Sequence, residues 1–174
     1  NLDSGTPTMA ASTVTIETLV ATSTGPTAGV AAHALVVSGN VSAGTTVSSG
    51  AALQIQGGVS FAAEPITISG NGISNDGVIR NISGTNTITG PVTVSSNTKI
   101  NTDLGTLTFS TATTGIALGT NLINVGVATG TTLTVSNIIS GAASSNALTL
   151  TKDGSGALVL GGTNTYTGIT TINS

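Results

Sequence analysis

Short apolar runs, three to five residues each and closed by Gly, Ser or Asn, recur from Ala34 to the end of the chain and never lengthen into a helical pattern. The C-terminal end shows the rhythm most clearly. Leu148-Thr149-Leu150, Leu158-Val159-Leu160 and Ile169 to Ile172 alternate or nearly alternate, as half-buried strands do. Asp153-Gly154-Ser155-Gly156 and Gly161-Gly162-Thr163-Asn164 separate them with turn chemistry. The runs start about ten residues apart, and the first and third start 21 residues apart. Strands that turn every ten or so residues and realign after about twenty describe one rung of a parallel β-solenoid.

The rest of the chain repeats this punctuation. Residues 1–31 are the least regular, with one strand read over Thr13 to Val20. Runs then follow at Ala34 to Val37, Leu53 to Ile55, Ile66 to Ile68, Val78 to Ile82, Val92 to Val94, Leu104 to Phe109, Leu122 to Val127 and Leu133 to Ile139, among others. Gly pairs, Asn71-Gly72 and Asp76-Gly77 supply the positive φ that tight corners need. Gly, Thr and Ser interleaved this densely oppose helix. A β-sandwich is the competing architecture. Its bulky core aromatics are nearly missing, since Phe61, Phe109 and Tyr166 are all the chain has.

Composition excludes several functions. Ser and Thr make up nearly a third of the 174 residues, while charged residues are 5%. The 38% of hydrophobic residues are rich in Val, Ile and Leu, which argues for folded β-structure rather than disorder. Net charge is −3, with Arg80, Lys99 and Lys152 the only stable cations, so no basic footprint for nucleic acid exists. No apolar run of about 18 residues could span a membrane. With no cysteine there is neither disulfide nor thiolate site. Asn1 begins without a signal peptide, which reads as a processed piece or an internal segment.

Candidate chemistry is sparse. The acids Asp3, Glu17, Glu64, Asp76, Asp103 and Asp153 are widely scattered, whereas glycan-cleaving β-helices need clustered carboxylates or a basic pair. An enzyme reading requires Asp76, Asp103 and Arg80 to converge in a groove. His33 lies in an apolar stretch without a partner motif. The oxygen-rich stretches Asp153 to Gly156 and Asn71 to Gly77 read as turns rather than calcium loops, because the nonapeptide G-G-x-G-x-D-x-U-x is missing. Ser and Thr have no nearby base to activate them. Asn40-Val-Ser and Asn81-Ile-Ser fit the glycosylation sequon. No catalytic, cofactor-binding or metal-binding residue is assigned, and no cofactor is expected. Thr-x-Thr pairs occur at 13/15, 87/89, 106/108, 132/134, 149/151 and 165/167 at irregular intervals. Aligned on one flat face they would suit a module that binds ice or carbohydrate.

The string from Leu150 to Asn173, LTKDGSGALVLGGTNTYTGITTIN, resembles the autotransporter-associated β-strand repeat, a passenger-associated repeat of bacterial surface proteins. That pattern runs approximately L-x-K-x-G-x-G-x-L-x-L-x-G-x-N-T-Y-T-G-x-T-x-(V/I)-N. Lys152, Gly154, Gly156, Leu158, Leu160, Gly162, Asn164, Thr165, Tyr166, Thr167, Gly168, Thr170, Ile172 and Asn173 match it. Glu64 to Thr108 is similar to segments that often precede the repeat in long passenger domains. The resemblance implies a right-handed parallel β-helix displayed on, or secreted from, a bacterial cell. Family passengers are carried by an outer-membrane barrel, which these residues do not contain.

The expected molecule is therefore all-β: a right-handed parallel β-helix of roughly eight rungs with no helical domain. It forms a single segment over 1–174, with the repeat at 147–174. At about 4.8 Å per rung the rod would be about 40 Å long. Inward aliphatic side chains would stack, and Asn81, Asn86, Asn97, Asn101, Asn121 and Asn124 would form amide ladders at the turns. Neither terminus carries a helical or charged cap, so both ends are expected to continue into more chain or a second copy, stacking end to end. The expected role is a shaft or filament subunit such as an adhesin, with possible host-surface or glycan contact. No nucleic-acid partner is expected.

Overall fold

The computed structural model describes residues 44–61, 63–110, 115–141 and 148–174. They form a β-solenoid in which every strand pairing is parallel. One three-residue 3-10 turn, Ile73–Asn75, interrupts the strands.

The rungs are three-sided. The first consists of β1 (Thr45–Val47), β2 (Leu53–Gln56) and β3 (Ser60–Phe61). The second is β4 (Ile66–Gly70), β5 (Ile79–Ser83) and β6 (Thr85–Ile88). In the third, β7 (Val92–Thr102) runs through the first corner without a break, and β8 (Thr106–Phe109) follows. The fourth is β9 (Ile116–Ala117), β10 (Ile123–Val127) and β11 (Thr132–Val135). The fifth is β12 (Ile139–Ser140), β13 (Leu148–Asp153) and β14 (Ala157–Leu160), and β15 (Ile169–Ile172) opens a sixth. Because β7 spans two sides, those sides merge into a ten-stranded sheet. The third side is a separate five-stranded sheet, β14-β11-β8-β6-β3.

The expectation of about eight rungs is corrected here. It rested on the short return at the C-terminal end, and that return is real: Leu148 pairs with Ile169, and Lys152 with Ile172. It is also near the short extreme. The return from Gly70 to its partner Thr98 is longer by more than a whole strand. Longer rungs mean fewer of them, so the described residues make five rungs and open a sixth. At about 4.8 Å per step the stack is about 24 Å tall.

The core is a set of axial ladders. On the five-stranded sheet Phe61, Ile88, Phe109, Val135 and Leu160 stack in register, beside Leu107, Leu133 and Leu158. Across the interior, Ile66, Val92, Ile116 and Ile139 form a third file, and Ile79, Ile100 and Val125 a fourth. Most of these side chains are fully buried, and each such Ile, Leu or Phe contributes about 1.5 to 3 kcal/mol. Glycine permits the tight corners. Gly105 has φ +85, and a Cβ there would stand 2.3 Å from the Gly84 carbonyl oxygen one rung below. A Cβ on Gly115 would stand 1.7 Å from the Ile138 carbonyl oxygen one rung above.

Asparagine does not form the expected amide ladders. The register sets Asn81 against Thr102, Asn86 against Leu107, and Asn124 between Lys99 and Thr151, so none of these stacks on another Asn. The amides instead clamp backbone between rungs. Asn86 Oδ1 accepts from the N–H groups of Gly58 (2.9 Å) and Val59 (2.6 Å) below, and Asn81 Nδ2 donates to Leu104 O above (2.8 Å). Asn81 and Asn86 are fully buried and joined by a 2.6 Å hydrogen bond within one rung. Buried amides hold only when so satisfied.

Candidate functional site

No strand of the five-stranded sheet carries a charged side chain; the described charges lie on the ten-stranded sheet or in connecting segments. Arg80 points outward on β5 (Ile79–Ser83). Its Nε donates to Asp103, and its Nη1 reaches Asp76 at 3.4 Å. Asp103 also accepts from Asn101 Nδ2. The structure thus brings Asp76, Arg80 and Asp103 together. Asp76 sits just after Ser74 and Asn75, two consecutive residues with φ of 53 and 63, at the end of the 3-10 turn. The side chain of Asp76 is 52% exposed, those of Arg80 and Asp103 about a quarter. One guanidinium holds both carboxylates at the surface.

A second polar node ties the last rungs. Asp153 accepts from Asn124 Nδ2 below and Asn173 Nδ2 above, each at 2.8 Å. These bonds, first that of Asn173 and then that of Asn124, hold the Asp153 carboxyl below its ordinary range, and Lys99 and Lys152 add to the effect. Both carboxylate oxygens are therefore engaged by amides. Asn81 is buried, so its sequon is inaccessible in the folded chain. Glu64 is buried at a corner, where Thr45 donates to it. Asp3, Glu17, His33, Asn40 and the Thr13/Thr15 pair lie outside the described residues. Among the described residues no three His, Cys, Asp or Glu side chains gather as a metal site.

The threonines behave differently from their spacing along the chain. Thr106/Thr108 and Thr132/Thr134 lie in register on β8 and β11. The pair beneath them is Thr85/Thr87, not Thr87/Thr89. Thr89 lies beyond the strand and donates to Phe61 O (2.5 Å). Thr149/Thr151 belongs to β13 on the other sheet.

The open end of the stack is apolar. Leu150, Lys152, Gly156, Leu158, Leu160, Thr170 and Ile172 line an opening of about 260 Å³. Ile172 continues the inward file above Lys152 yet is 74% exposed, because no described residue covers it. Lys152 is buried and donates to Gly154 O. Tyr166 packs against the core edge, with its hydroxyl 2.9 Å from Thr170 Oγ1.

Residues 150–174 match the Passenger-associated-transport-repeat. The match is the family suggested by the residue pattern, and it covers the end of the fifth rung and the start of the sixth. The positions of the repeat acquire physical roles from this. Leu158, Leu160 and Ile172 are inward core positions, Gly154 is a corner with φ +86, and Asn173 is the amide that holds Asp153. No curated protein and no solved structure matches the chain. No helix among the described residues is long and apolar enough to cross a membrane.

Proposed function

We propose that this chain is a structural segment of a bacterial passenger, displayed at the cell surface or secreted, in which the solenoid serves as a rigid shaft. The observation that carries this reading is the last rung. The passenger-associated repeat forms it, and of its inward residues Ile172 is exposed while Leu158 and Leu160 are only half-buried, as they would be where another rung is laid on top. That rung comes from further chain or from a second copy stacked end to end. An edge of unpaired strands above an apolar opening supports either, since both supply backbone partners and cover.

In this reading the chain is not an enzyme. Asp76, Arg80 and Asp103 do converge, but a general acid must hold a proton and a base must be free to take one. Here the Arg80 guanidinium is hydrogen-bonded to both carboxylates, which leaves neither of them free. Electron microscopy of the purified chain across dilution tests the proposal. Short rods, or fibres of one uniform width, are the expected particles. Compact particles with no long axis, or cleavage of polysaccharide lost in Asp103→Asn, would overturn it.

A further inference from the structure

The outer surface of the five-stranded sheet holds a two-dimensional grid of hydroxyls. Thr85, Thr106 and Thr132 stand in one axial file, and Thr87, Thr108 and Thr134 in the next. Ser60 extends the second file by one rung. Along the axis the step is about 4.8 Å, and two residues along a strand span about 6.7 Å. Every pairing on this sheet is free of register shifts, so the grid is unbroken. None of the six Thr hydroxyls bonds another described residue. The single file Thr46–Thr67–Thr93 on the ten-stranded sheet differs. Its neighbouring Ser69 and Ser95 hydroxyls are spent on Ser96 and on Ile68 O.

The chemistry of the grid narrows its ligand. No cation is present for an anion or a nucleic acid. No aromatic ring offers a platform for a sugar, and Val159, which follows Thr134 at the end of the second file, is neither an aromatic nor an arginine anchor for a protein partner. What remains is a rigid array of hydroxyls and methyls, each held by a β-branched side chain with restricted χ1. In a tetrahedral water network with O–H···O contacts of about 2.75 Å, second neighbours lie about 4.5 Å apart. The axial step is within a few tenths of an ångström of that repeat. We propose that this face binds ice, holding waters on its hydroxyls at a spacing the crystal lattice can continue. The proposal stands independently of the shaft reading.

Thermal hysteresis and ice-crystal shape measured on the purified chain test it. Faceted crystals and a gap between melting and freezing are expected. Both should vanish in Thr108→Tyr, which plants a bulky ring at the centre of the grid. Thr93→Tyr, on the other sheet, should keep both. Thr108→Ser, which retains the hydroxyl, should keep part of the gap, and circular dichroism identifies any variant that fails to fold. Rounded crystals with no hysteresis in the parent chain would overturn the proposal, as would equal loss in Thr93→Tyr and Thr108→Tyr. Loss of the effect on addition of a soluble oligosaccharide would reassign the face to glycan binding.

Discussion

The two sheets of this solenoid are built to different tolerances. The five-stranded sheet keeps strict register through all five strands and carries no charge on any of them. The ten-stranded sheet takes register shifts at Ile55/Gln56, Ile68/Gly70 and Leu148/Leu150, and it holds the Arg80 and Asp153 clusters. Rung length varies, and the variation must be absorbed somewhere. It is absorbed in the turns and on the ten-stranded sheet, where bulges cost little because polar side chains can clamp the displaced backbone. The other sheet remains regular, with both phenylalanines in its inward file. A stacked fold can therefore be irregular in sequence and regular in space on one side only.

The largest effect should come from the inward file of the regular sheet. Phe109→Ala removes a fully buried ring between Ile88 and Val135 and should cost about 3 to 5 kcal/mol in denaturant unfolding. A loss below about 1 kcal/mol would mean that this sheet is no more tightly built than its partner. Arg80→Met should matter less. The pair is part-exposed, so the cost should stay within about 1 kcal/mol and shrink further in high salt. A larger, salt-independent loss would place Arg80 among the buried determinants of the fold. The smallest effect is local and depends on pH. The Asp153 carboxyl titrates below its ordinary range, so its contribution is fully present above the unfolded-state value. It is lost as pH falls through the lower folded value. Protection of the β15 amides, taken as their exchange relative to the intrinsic rate at each pH, should then fall in acid, and Asp153→Asn should remove that pH dependence. Protection at β15 that ignores pH in the parent chain would show that Asp153 does not tie the last rung.

Much of this was legible in the sequence. The parallel return from Leu148 to Ile169 is readable because the turns between them are short and rich in Gly. The family resemblance sits on the same residues. Rung number was not legible, because the short spacing of the C-terminal end was extended to a chain whose rungs differ in length. The Thr grid was hidden for the same reason. The steps from Thr85 to Thr106 and from Thr106 to Thr132 are unequal along the chain, yet each is one rung in space. In Thr85-Asn-Thr87-Ile-Thr89 alternation alone cannot say where the strand ends, and the structure ends it at Ile88. Asn81 and Asn86 read as turn residues, but their burial depends on partners in neighbouring rungs that no local pattern reveals. The convergence of Asp76, Arg80 and Asp103 likewise depends on the register between β5 and β7.

The most direct test is a pair of cysteines on the regular sheet, in a chain that has none of its own. Thr108→Cys with Thr134→Cys places the two on paired residues of adjacent rungs, about 4.8 Å apart at Cα and within disulfide range. Thr106→Cys with Thr134→Cys is the diagonal, about 8 Å apart and out of range. Under mild oxidation the in-register pair should resist alkylation and lose two hydrogens by mass, while the diagonal pair stays free. Cross-linking of the diagonal pair in preference to the in-register pair would contradict the register on which the stacked faces, the core files and the Thr grid all depend.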